Sequence, residues 1–222
     1  MIELTFPTYS QTIKLEHPFS LLAICENKQS FIQFMMCFHS ERISDMLVAY
    51  DEEKASFWDK DNIRFIDSAL FVDSNDKKNL AALRKQLKKR YSSQLNASAD
   101  MMTASLTKVF EEIRLDYDID LYSDISIKPE DLIKIMDIKV SIHDESLLER
   151  ILQYLKVTIE LAGTKLFIFH HLSFYLEDEE IKSLIHELGL LGGSLIDLES
   201  NALNSNLFDK RLIFDKDFNL IS

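Results

Sequence analysis

The hydrophobic and polar positions along this chain change period several times, and each change marks an element. At the N-terminus IELTF and TIKLE alternate while FSLLAIC runs apolar, the patterns of half-buried and fully buried strands. A polar turn, ENKQ, leads into SFIQFMMCF, where Phe31, Phe34, Met35 and Phe38 recur at i, i+3, i+4 and i+7 on one helical face. A strand-turn-helix unit is predicted. From about residue 72 to residue 113 helical periodicity replaces alternation, with Leu80, Leu83 and Leu87 in phase, then Leu106, Val109, Phe110 and Ile113. That length predicts a pair of helices. The β pattern returns in IKVSI (138–142), and the next helix, through Leu148, Ile151, Leu152, Leu155 and Ile159, has Gly163 placed to end it. KLFIFHH then reads as a central strand of a parallel sheet, EDEEIKSLIHELG as a helix with acids in its first turn, and SLIDLE and KRLIFD as two further strands.

Strands alternating with helices predict an α/β head with a parallel sheet, built from both chain ends (1–58 and 137–222), and an inserted all-helical extension over 59–136. A chain of 222 residues, 46% hydrophobic with four Gly and three Pro, has material for one sizeable core and no linker character. Cys25 and Cys37 both lie among apolar neighbours, which suggests neither a disulfide framework nor a zinc cluster. No secretory pattern or long apolar run is seen, so a soluble, cytoplasmic chain without membrane contact is expected.

The net charge of -12 argues against simple coating of nucleic acid, yet the charge is unevenly spread. Between Asp76 and Arg90 seven basic residues face one acid, and between Glu111 and Asp124 six acids face one Arg. Drawn at 100° per residue, Lys77, Lys78, Arg84, Lys85, Lys88 and Lys89 share one broad helical face, opposite Leu80, Leu83 and Leu87. Two readings stand: a solvated face, or a track for duplex phosphates. The acidic stretch LDYDIDLYSD places Asp116, Asp118 and Asp120 two apart, but Leu121 and Ile127 stand where an EF-hand needs Gly and Glu. It reads either as a solvated loop or as a different oxygen-ligand site.

Nucleotide chemistry fails a direct test, since the turn ICENKQSF has no glycine with which to wrap a phosphate. His170 and His171 are adjacent in a strand, point to opposite faces and read as structural. Cys25 reads as core. No catalytic constellation stands out.

The strand-rich start, DIDLYSDISIKPEDLIKIMDIKV (118–140) and KLFIFHHLSFYLEDEEIKSLIHEL together resemble the Csn-two family, the small accessory proteins of type II-A CRISPR systems. In the family an acidic E-x-D-x-x-x-D run leads into a short helix and a GVKV-like strand, and Asp118, Asp120 and Asp124 fall on its three acidic positions. The resemblance implies a non-enzymatic protein of spacer acquisition whose head is a degenerate nucleotide-binding-like fold. It implies a homotetrameric ring that encircles double-stranded DNA from free ends, ordered by structural Ca²⁺, with the CRISPR integrase proteins and effector nuclease as partners. Asp118, Asp120 and Asp124, with Asp116 as an extra, become the expected Ca²⁺ ligands. The basic face is the expected DNA surface. The alternative is an acidic α/β interaction or regulatory module that binds no DNA.

Overall fold

A parallel sheet has to be covered on both faces, and the chain supplies the covers from its two ends. In a computed structural model of the chain, residues 1–40, 42–142, 146–200, 205–215 and 220–221 are described. They form two compact units, Met1–Ser74 with Ile142–Ser222, and Asn75–Ser141.

In the first unit, the head, strands β3 (Ser20–Cys25), β6 (Ile63–Phe65), β7 (Leu166–His170), β8 (Ser194–Glu199) and β9 (Lys210–Phe214) run parallel, and β10 (Leu220–Ile221) adds an antiparallel edge. The spatial order β10-β9-β3-β8-β7-β6 puts the first strand between the last two long ones. Successive residues of β3 face opposite ways. Leu21, Ala23 and Cys25 join Phe34 and Phe38 of α1 (Lys28–His39), whereas Leu22 and Ile24 join Ile151 and Leu155 of α5 (Leu147–Ala162) and Leu184 and Leu188 of α6 (Asp178–Leu190). Both layers are mainly apolar, which is why β3 and β7 read as near-continuous rather than alternating runs, while β8 buries Asp197 and Glu199 as well.

Strands β1 (Ile2–Phe6) and β2 (Gln11–Leu15) lie outside the parallel sheet. With β4 (Val48–Asp51) and β5 (Ser56–Phe57) they make an antiparallel sheet in the order β2-β1-β4-β5, whose Ile2, Leu4 and Phe6 pack on the α1 side. Phe214 of β9 joins this layer, with its ring centroid 5.4 Å from Phe6, 4.7 Å from Tyr9 and 5.0 Å from Phe34. The helix ends carry the expected stops and starts. The Ser146 hydroxyl accepts from the Glu149 amide at 3.2 Å, the Glu149 carboxylate accepts from the Ser146 amide at 2.9 Å, and Gly163 closes α5 at φ 72°.

The second unit holds α2 (Lys77–Arg90), α3 (Ser92–Leu115) and α4 (Pro129–Met136) around Leu95, Ala99, Leu132 and Ile133. Its two ends are joined by one side chain. Asn75 donates to the Val140 carbonyl at 2.9 Å and accepts from the Val140 amide at 2.8 Å.

That contact explains a correction. IKVSI is coil rather than strand, because an asparagine amide takes the backbone groups of Val140 that a ladder would have used. The insert also runs over 75–141 rather than 59–136, since β6, which the hydrophobic pattern does not announce, pairs with β7 and belongs to the head. The α/β class with an inserted helical unit stands.

Leu155 is fully buried between sheet and helix, and Ile32 of α1 is 45% exposed. Leu155→Ala is expected to lower unfolding free energy by about 2–5 kcal/mol, and Ile32→Ala by no more than about 0.5 kcal/mol. Urea denaturation of the two variants checks the order.

Candidate nucleic-acid interface

The segment KKNLAALRKQLKKR is made of helix formers without Gly, Pro or a β-branched residue, and α2 forms over all of it. Asp76 starts the helix, its carboxylate accepting from the Asn79 amide at 2.7 Å. Lys88, Lys89 and Arg90 fill the last turn, where they complement the macrodipole. Leu80, Leu83 and Leu87 are half-buried, while Lys77, Lys78, Arg84, Lys85, Lys88 and Lys89 are all exposed. The structure therefore brings the six expected cations together on one face. Lys88 also makes an ion pair with Glu130 of α4, a partner with no sequence signature because it lies 42 positions away.

Charge separates by unit. Residues 75–141 carry 12 basic and 11 acidic residues, net +1, against 13 and 26 in the rest of the chain, net -13. Six of the insert's 11 acids fall between Glu111 and Asp124, in and after the last turns of α3, whose 24 residues span about 36 Å. That distance from the α2–α3 junction exceeds four Debye lengths of about 8 Å. The cations near the junction are screened from acids at that end of the helix.

Helix α3 is apolar on two stretches with different fates. Leu95 and Ala99 pack on α4, but Met102, Leu106, Val109 and Ile113, spaced four, three and four apart, are 39–50% exposed. Their periodicity reads as a core face in the sequence. In the single chain that face is uncovered.

Past α3 the aspartates take a different course. The Asp116 amide closes the helix on the Ile113 carbonyl at 3.0 Å, residues 117–128 are coil, and the backbone bends at Asp118 and Ile119. The bend breaks the alternation that would have aimed Asp116, Asp118 and Asp120 to one side. All three, and Asp124, are exposed, and among the described residues no group of three His, Cys, Asp or Glu side chains is placed to hold an ion.

In the head, the place where an α/β sheet receives phosphate is filled by the chain itself. Asn27 caps α1, its side chain accepting from the Gln29 amide at 2.8 Å. Cys25 is buried, which pushes its thiol up to about 12, and it serves as core. His170 contacts the Asp67 carbonyl through Nε2, and His171 Nδ1 lies 2.8 Å from the Glu199 carboxylate. Their rings are neighbours, centroids 5.6 Å apart, and do not point to opposite faces. His171 leaves the strand at φ 55°, which turns its ring back. Both make contacts of a structural kind.

Sequence reading misses a buried carboxyl pair beside them. Asp197 and Glu199 are two apart on β8 and 0% and 2% exposed. Glu199 also accepts from the Ser173 hydroxyl at 2.9 Å, and Asp197 accepts from the Leu172 amide at 3.3 Å. Burial, and then the neighbouring Glu199, raise the Asp197 carboxyl well above the usual carboxylate range.

The model of the CRISPR-associated protein (Cas_Csn2) family matches residues 43–218, which take in the whole insert and most of the head. The chain belongs to the Cas_Csn2 family. CRISPR-associated protein Csn2 of Streptococcus agalactiae is 22% identical over 225 residues, an alignment covering 100% of this chain and 98% of that protein. A crystal structure of the SmcHead bound to the C-winged helix domain of ScpA superposes with a TM-score of 0.46 and 10% identity, over 99% of this chain and 95% of that one, a likeness too loose to define a shared fold. Membership in the Csn2 family gives the chain a CRISPR-associated role. Among the described residues no helix is long and apolar enough to cross a membrane.

The Asp197 pair yields a pH prediction whose sign is set by the raised carboxyl. Ionising Asp197 costs the folded state and not the unfolded chain, so stability falls as pH rises from the ordinary carboxylate range through the folded value. Asp197→Asn keeps the acceptor for Leu172 and removes that cost. It is expected to stabilise the head by roughly 1 to 3 kcal/mol at alkaline pH, with the gain shrinking to nothing below about pH 4. Denaturation of both proteins across that range checks it; a difference independent of pH speaks against the buried charge.

Proposed function

We propose that this chain is a non-enzymatic, sequence-independent binder of double-stranded DNA that acts in CRISPR spacer acquisition. The observation that carries the reading is the exposed cation face of α2, on a unit that is net positive in a chain of net charge -12. Cations spaced along one helix can meet phosphates without reading bases, and no aromatic side chain is interleaved with them to stack on single strands. The reading includes assembly. An apolar stripe on α3 left uncovered in one chain is suited to a second copy, in line with the homotetrameric ring that the family resemblance implies. A ring takes linear duplex from its ends, and the integrase proteins and effector nuclease of the same system are its proposed partners. Asp116, Asp118, Asp120 and Asp124 enter as a source of carboxylates for a structural Ca²⁺, a role that the geometry of one chain does not by itself provide.

The same stripe favours a second reading, in which α3 docks a different protein and the basic face is merely solvated.

Duplex binding separates the two. Linear DNA is expected to bind in a salt-sensitive manner irrespective of sequence, and a covalently closed circle of the same sequence to bind far more weakly. Arg84→Gln combined with Lys85→Gln is expected to flatten the slope of log affinity against log salt by about 2, at roughly 0.9 per phosphate contact. Equal affinity for the circle refutes threading, and no binding at 50 mM salt with Ca²⁺ present favours the interaction module.

A further inference from the structure

Glu130 is delivered to α2 by a short, well-anchored helix. Pro129 opens α4, the Lys128 amide donates to the Asp131 carboxylate at 3.2 Å, and Leu132 and Ile133 fix the helix in the small core of the insert. The carboxylate so placed meets the Lys88 ammonium, which shares its helical face with Lys77 and Arg84. The side chains of both partners are open to solvent, 57% for Lys88 and 44% for Glu130, so the pair lies on the surface that a ligand reaches. The Lys88 contact holds the Glu130 carboxyl below its usual range, and it stays ionised at neutral pH.

We infer that Glu130 withholds Lys88 from DNA, acting as a built-in competitor for one position of the phosphate track. This rests on the DNA-binding reading of α2. A phosphate approaching Lys88 has to displace a carboxylate that the fold keeps in place, and it also meets that carboxylate's charge. Arg84, Lys85 and Lys89 on the same helix have no such partner among the described residues. The track therefore grips at fewer positions than its sequence offers.

The inference is tested by titrating linear duplex of arbitrary sequence with the full chain at 50 to 200 mM salt, comparing wild type, Glu130→Gln, Lys88→Gln, the double variant and Glu112→Gln. Glu112→Gln removes the same charge from α3. Glu130→Gln is expected to steepen the salt slope by roughly 0.9, so that affinity falls about 3.5-fold further across that range than for wild type. Lys88→Gln leaves the wild-type slope in place, the double variant loses the gain, and Glu112→Gln matches wild type. Two results overturn the inference: Glu130→Gln and Glu112→Gln behaving alike, or Lys88→Gln alone flattening the slope by about 0.9 as expected for a phosphate contact. Wild type that binds no duplex refutes the DNA reading itself, and is told apart from both because it leaves no slope to compare.

Discussion

The two-sided burial of the parallel sheet is the constraint on which the rest of the structure depends. Each of its strands needs an apolar layer above and below, and no single stretch of chain supplies both. One layer comes from α1 and the N-terminal antiparallel sheet, and the other from α5 and α6 late in the chain. Phe214 illustrates the closure: a residue of the last long strand packs on Phe6, Tyr9 and Phe34 from the first 34 positions. Because the head closes from both ends, the middle of the chain is free to form a separate helical unit between β6 and α5.

Charge follows from that division. A head whose interior is mainly apolar on both faces puts most of its charged groups outside, and a net -13 over the unit would repel phosphate from the head's surface. Among the described residues the insert is built from a few helices around four buried apolar side chains, which leaves much of its helical surface exposed and open to a run of one sign. Screening over about 8 Å lets such a run act locally in an acidic protein. The whole-chain charge, taken alone, argues against simple coating of nucleic acid; the charge by unit does not.

Much of this was legible in the sequence where regular structure fixes the consequence of spacing. The apolar runs of β3 and β7, the capped helix ending at Gly163, the helix pair and the shared face of Lys77, Lys78, Arg84, Lys85, Lys88 and Lys89 all follow from spacing along the chain. What was not legible depends on partners distant in the chain. IKVSI alternates like a strand, but Asn75 takes its backbone groups. Strand β6 is too short to show a period, and only its pairing with β7 assigns it to the head. The α3 stripe reads as core because period reports which face is apolar, never whether anything covers it.

The cation and acid runs show the same limit at the level of sites. A helix turns spacing into direction, so six basic residues at helical intervals are bound to share a face. A coil does not, and the bend at Asp118 and Ile119 interrupts the two-residue alternation of the aspartates. Even on the helix, direction is only half of a site, since Glu130 decides what Lys88 is free to do. In β8, conversely, SLIDLE placed Asp197 and Glu199 on one side by period alone, yet only burial on both sheet faces turns that pair of acids into a proton-holding one. Spacing proposes which side chains meet; the environment supplied by the rest of the chain determines their chemistry.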